Sequence, residues 1–206
     1  MRADEKWLIN GKEVVYNDEN HAYYVNGKRC ISVTQLLKFK FPSKYDGIDE
    51  TVLKQAAERG TYYHECVEMY EQYGIESNEI EEFRNYLFLK QKFKFEVLQN
   101  EIPILLEYKG LYICGRLDMV IKENGKSGLG DLKFTSVADT NYLAYQLNLY
   151  RLGYIQSYKK DVDILRGIHL KKNRRRYIEL PINEEATYQL LEDYINYLKE
   201  KQNESI

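Results

Sequence analysis

Cysteine is scarce in this 206-residue chain, and its three copies, Cys30, Cys66 and Cys114, are odd in number and widely spaced. No C-x-x-C pair occurs, which argues against a disulfide framework or a cysteine-held metal cluster and leaves small, partly buried thiols. Long apolar runs are missing too: no stretch of eighteen exists, and the opening Met1-Arg-Ala-Asp-Glu-Lys6 is charged. Neither a membrane span nor a secretory leader is therefore expected, and the chain is expected in the cytoplasm. Charge of one sign is also lacking. The 30 Lys and Arg against 32 Asp and Glu leave a net charge of −2, which excludes a wholesale polycation but not a local basic track. Internal repeats, low-complexity segments and linker-like stretches are absent, so a single domain is expected over residues 1–206. Tyrosine, by contrast, is plentiful at 20 residues, most of them readable as ordinary core and surface positions.

The most informative stretch is Gly115 to Phe134. Leu117, Met119 and Ile121 alternate with Arg116, Asp118 and Val120, and Leu132 and Phe134 alternate with Asp131 and Lys133, so two strands of period two flank a polar centre. Asn124-Gly125 is a strong two-residue hairpin signal. That turn sets Asp118 directly across from Asp131, on one face, with Lys133 two residues further along the same face. Like charges opposed in an otherwise apolar hairpin need compensation, and a divalent cation between the carboxylates supplies it most simply.

Along the rest of the chain, residues 7–31 read as a small β-meander, and Ser32 is placed to cap a helix from Val33 that Pro42 ends. A lysine-bearing loop, Lys38–Lys44, follows. Residues 51–59 and 60–73 read as two helical segments with a break at Gly60, and residues 77–97 as a longer helix. Ile104–Tyr108 reads as a strand. Residues 139–158 form a helix candidate, Ile164–His169 and Tyr177–Leu180 a second hairpin, and residues 183–201 a closing helix. The domain then divides into a meander and helix over 1–45, a core over 50–160, and a hairpin and helix over 161–206.

Candidate site residues lie outside the hairpin as well. His64 and Glu68 are four apart and share a helix face, which suits an imidazole ligand supported by a carboxylate, although a surface histidine on a polar helix has the same spacing. Gly60 would allow close approach of that helix. Gln146 and Tyr150 are also four apart, on the helix that follows Lys133. They suit phosphate holding or ordering of the lysine, and equally a polar residue beside a core tyrosine. Lys171, Lys172, Arg174, Arg175 and Arg176 make a basic hairpin tip fitted to phosphate contact or to a solvated turn.

Gly-x-x-Asp at 115–118, Asp-x-Lys at 131–133, Gln-x-x-x-Tyr at 146–150 and Arg-Gly-Thr-x-x-His at 59–64 occur in the order seen in the PD-(D/E)xK nuclease superfamily. The chain resembles its RecB-type branch, including phage exonucleases. His21-x-Tyr-Tyr, Gly27 and Ser32-Val-Thr34 extend the likeness to about residues 20–155. The resemblance implies an α/β (α+β), restriction-endonuclease-like mixed central β-sheet flanked by helices, here with the amino-terminal meander. It implies His64, Asp118, Asp131 and the Leu132 carbonyl as ligands of Mg²⁺ or Mn²⁺, and Lys133 as the catalytic lysine. Gln146 and Tyr150 become supporting active-site residues, and Glu101 matches a common family acid. Some relatives hold an iron–sulfur cluster with four cysteines, which three scattered cysteines cannot supply, so none is expected.

The activity implied is metal-dependent hydrolysis of DNA phosphodiesters, by a phage-type exonuclease working with a recombination or single-strand-binding and annealing partner. A structure-specific endonuclease or a subunit of a larger repair complex shares these residues. An inactive DNA-binding or assembly protein on the same fold is the alternative of another class.

Overall fold

One strand has more neighbours than a strand has edges, and the sheet is arranged around it. The computed structural model describes residues 4–204; residues 1–3, half of the charged opening run, lie outside the described residues. That strand, β6 (Leu111–Glu123), is paired along its whole length on one edge by antiparallel β5 (Phe95–Tyr108). Its other edge is shared. At one end it carries, in parallel, β4 (Lys28–Ser32), the last strand of a meander that begins with β1 (Glu5–Ile9), β2 (Lys12–Asn17) and β3 (Ala22–Val25). At the other end it pairs with antiparallel β7 (Lys126–Lys133). Parallel β8 (Ile164–Lys171) and antiparallel β9 (Arg174–Leu180) complete a nine-stranded mixed sheet. The fold is a mixed α+β sheet flanked by helices.

The hairpin register is the expected one. Glu123 faces Lys126 and Met119 faces Gly130, and Asn124 and Gly125 both take the left-handed backbone that a two-residue turn of this twist requires. Glycine at 128 and 130 lets Ile164 and Met119 press against the strand, where added β-carbons would lie 2.4 and 2.8 Å from their side chains.

Helices cover both faces. On one, α1 (Val33–Lys40), α4 (Thr140–Tyr158) and α5 (Glu184–Asn203) bury Leu36, Leu147 and Leu190 with Ile104, Leu117 and Leu165. On the other, α2 (Glu50–Tyr73) and α3 (Glu81–Phe93) bury Val67, Phe83 and Tyr86 with Met119, Ile121 and Ile168. α1 starts where expected: Ser32 Oγ accepts from the Gln35 amide, and the Gln35 side chain accepts from the Ser32 amide.

Three expectations differ from the structure. α2 runs unbroken through Gly60, and a β-carbon there would meet nothing within 4 Å, so this glycine neither breaks the helix nor permits a close approach. The helix expected over 77–97 stops at Phe93, where Lys94 turns left-handed, and Phe95 begins β5. Phe95 is buried against Tyr177 and paired with Glu123, so sheet pairing outweighs helical preference. β5 accordingly extends well before Ile104. The basic tip narrows to Lys172-Asn173, because pairing of Lys171 with Arg174 carries the strands almost to the turn. No helix among the described residues is long and apolar enough to cross a membrane.

Candidate metal centre

Because β4 leaves β6 at Cys114 and β7 joins it at Met119, residues 115–118 lie in a split with no described strand on that edge. The inward alternation changes phase here: Leu117 packs with the α4 cluster, and Met119 with the α2/α3 cluster. Asp118 occupies the gap. Its Oδ2 accepts from the Leu132 amide at 2.6 Å, so a side chain replaces the missing ladder bond and ties Asp118 to the Asp131-Leu-Lys133 segment.

Glu101 falls opposite Asp118 on the other edge. Its neighbours pair as Asn100 with Met119 and Ile102 with Leu117, while Glu101 has a φ of 50°, the left-handed region that a non-glycine residue enters at a cost. Arg116 contacts its carboxylate at 3.6 Å and is itself held by Glu5 of β1 at 2.6 Å. From α2, His64 brings Nδ1 to 3.8 Å from Asp118 Oδ2. The donor atoms of His64, Glu101 and Asp118 all lie within 4.8 Å of one another.

Asp131 stands beside this trio rather than in it. It is buried, its Oδ2 contacts Lys133 Nζ, and its Oδ1 has no hydrogen-bond partner. Burial pushes the Asp131 carboxyl up to about 6 despite the neighbouring Lys133, and burial likewise raises Asp118. Burial, with Lys133 adding to it, lowers His64 to about 4, leaving a neutral imidazole whose lone pair can ligate. A neutral imidazole, two carboxylates and an orphaned carboxylate oxygen form a donor set that fits a divalent cation.

The other candidates divide. Glu68 lines the same cavity of about 230 Å³ as His64, Glu101 and Asp118, and accepts from Gln72 at 2.9 Å. A larger cleft, about 870 Å³, adjoins it through Thr61 and Glu101 and has Tyr16, His21 and Gln35 on the meander and α1 side. Tyr150 also lines this cleft and is hydrogen-bonded to Gln146, whose Oε1 is buried without a partner. The basic tip is separate from the trio but at the same end of the strands. His169 pairs with Lys133, and Lys171 is two residues further along β8, about 7 Å. Lys171, Lys172, Arg174, Arg175 and Arg176 are exposed, though Arg175 stacks on Phe88 and donates to Asn85 at 2.8 Å.

Two features were not legible beforehand. Glu101 matched a family acid, but its place opposite Asp118 depends on a β5 much longer than its apolar core. Lys44, in a 3-10 turn over Pro42–Tyr45, lies 3.9 Å from Asp139 and within electrostatic reach of Lys133 and Asp131; burial lowers it to about 8. Its signal was only a lysine in a loop.

Position 115 has room for glycine alone. A β-carbon there would come 2.7 Å from Tyr150 Cε1 and 3.2 Å from Val33 Cγ2. A rigid ring cannot yield as a chain end can, so Gly115→Ala is expected to destabilise the protein by about 1–3 kcal/mol in urea unfolding.

No family model and no curated protein matches the chain. Among solved structures, the crystal structure of SSO0001 is similar, with 20% identity and a TM-score of 0.48 over 82% of this chain and 75% of that one.

Proposed function

We propose that this chain is a Mg²⁺- or Mn²⁺-dependent deoxyribonuclease of the PD-(D/E)xK type, closest in kind to the RecB-like phage exonucleases. The observation that carries this reading is the convergence of His64, Glu101 and Asp118 beside the Asp131–Lys133 pair. His64, Asp118 and Glu101 would hold the cation, with Asp131 and the Leu132 carbonyl completing its shell. When bound, that cation supplies Lewis acidity toward the phosphoryl oxygens. Lys133 Nζ orients the attacking water and stabilises negative charge as it develops. Tyr150 and Gln146 position the substrate phosphate from the α4 side. The exposed cations at 171–176 contact the backbone of the nucleic acid further along, which would make binding weaken as salt rises.

End-labelled linear and closed circular DNA, incubated with Mg²⁺ or Mn²⁺, test the proposal. Degradation of linear DNA with circular DNA spared supports the exonuclease. Cleavage of neither, at any metal concentration, rejects the nuclease.

Metal binding is expected to follow pH. Mn²⁺ should raise Tm at pH 7.5, and the rise should fade below about pH 6 as Asp131 takes up its proton, while His64 stays neutral to about pH 4. The metal-free protein behaves differently. A raised Asp131 contributes stability that is lost as pH rises through about 6, whereas a lowered His64 contributes stability present above 6.5 and lost as pH falls toward 4. These slopes oppose each other between pH 4 and 6, and the raised Asp118 adds to that of Asp131, so the metal is read from the difference in Tm with and without Mn²⁺ at each pH. Differential scanning fluorimetry with and without Mn²⁺ measures it.

A further inference from the structure

Two thiols from distant parts of the chain meet next to the split. Cys30 on β4 and Cys114 on β6 are 84 positions apart, yet their Sγ atoms are 3.2 Å apart. Parallel pairing sets Ser32 beside Cys114, so Cys30, two residues earlier, projects from the same face. Both pack in the cluster of Ile9, Val14, Tyr23 and Val25 that joins the meander to the main sheet. Cys114 is fully buried, whereas Cys30 is only partly so and can meet a small oxidant. Cys66 is elsewhere, buried in the α2/α3 cluster.

We propose that Cys30 and Cys114 form an oxidation site that closes to a disulfide and locks the meander to the strand carrying Asp118. The oxidant class is a hydroperoxide, with hydrogen peroxide as its simplest member. The hydrogen bond with Cys114 draws the Cys30 thiol below its ordinary range, and the same bond together with burial keeps the Cys114 thiol protonated. Cys30 is therefore the attacking thiolate. Its sulfur attacks one peroxide oxygen: an S–O bond forms, the O–O bond breaks, and the departing hydroxide takes a proton to become water. The Cys114 sulfur then attacks the Cys30 sulfenic acid, forming the S–S bond as the S–O bond breaks, and the leaving hydroxide carries off the Cys114 proton as a second water. Two electrons pass from the two sulfurs to the peroxide. An ordinary disulfide is about 2.0 Å long, so closure requires the sulfurs to approach by roughly 1.2 Å.

The test uses the full chain, folded and reduced, treated with a few equivalents of hydrogen peroxide, alkylated in denaturant, and mapped by proteolysis and mass spectrometry. The expected result is a Cys30–Cys114 crosslink that dithiothreitol reverses, with free thiols falling from three to one and Cys66 alkylated. Tm should rise by roughly 5–10 °C, because the cross-link restricts the unfolded chain. Cys30→Ser and Cys114→Ser should each lose the crosslink, and if either variant fails to fold, the wild-type map decides alone. Over-oxidation of Cys30 without a crosslink, or a crosslink through Cys66, overturns the proposal. A crosslink that leaves Tm unchanged overturns the locking.

Discussion

Asp118→Asn should leave the protein folded and reduce metal-dependent DNA cleavage by about 10³-fold, the several kcal/mol that a well-placed cation contributes. Asparagine is the informative replacement. Asp118 Oδ2 accepts from the Leu132 amide inside the split, so alanine would leave that amide without a partner and confuse loss of fold with loss of chemistry. An asparagine carbonyl can still accept the bond while the charge is gone. Lys133→Ala should lose cleavage by roughly 10²–10⁴-fold while still binding Mn²⁺, because the role proposed for the lysine is toward the reacting water rather than the cation. Cleavage rates from single-turnover assays and Mn²⁺ titration by calorimetry separate the two. Full activity in Lys133→Ala would remove the catalytic assignment.

Glu101→Gly should move stability and activity in opposite directions. Glu101 holds a φ of 50° within a paired strand, a conformation that costs a non-glycine residue of order 1–3 kcal/mol and that glycine adopts freely. Removing the strain should raise stability by about 1 kcal/mol after glycine's greater unfolded-state freedom is counted. The same substitution deletes one of three converging donors, so Mn²⁺ affinity and cleavage should fall by about 10²-fold or more. Glu101→Gln keeps the strain, loses the charge, and should lose affinity without gaining stability. Urea unfolding beside Mn²⁺ titration reads both effects. A Glu101→Gly protein that binds Mn²⁺ as tightly as the native chain would take Glu101 out of the centre.

What was legible in the sequence was local. Asn124-Gly125 specifies its turn through backbone that few other residue pairs adopt, so the register from Glu123–Lys126 to Met119–Gly130 followed from two residues, whereas the ladder stops short of the expected Asp118–Asp131 pair and Asp118 meets that segment through the Leu132 amide. Ser32 and Gln35 announce α1 through a reciprocal cap, and four-residue spacings put His64 with Glu68 and Gln146 with Tyr150 on common faces. What was not legible depends on contacts between distant segments. Parallel pairing of β4 with β6, which creates the split and joins Cys30 to Cys114, leaves no mark in either strand alone. Phe95 to Gln99 carry both helical and strand patterns, and only β6 and Tyr177 decide between them. The role of Glu101 was hidden for the same reason, since its partner across the sheet is known only once β5 is known to be long.

The proposed activity requires a cation held in the split of β6. Crystals grown with Mn²⁺ and measured at a wavelength where manganese scatters anomalously would show it directly. The predicted result is an anomalous peak within coordinating distance, about 2.0–2.3 Å, of donor atoms from His64, Glu101 and Asp118. A fully loaded crystal with no peak there, or with manganese held only elsewhere, would contradict it.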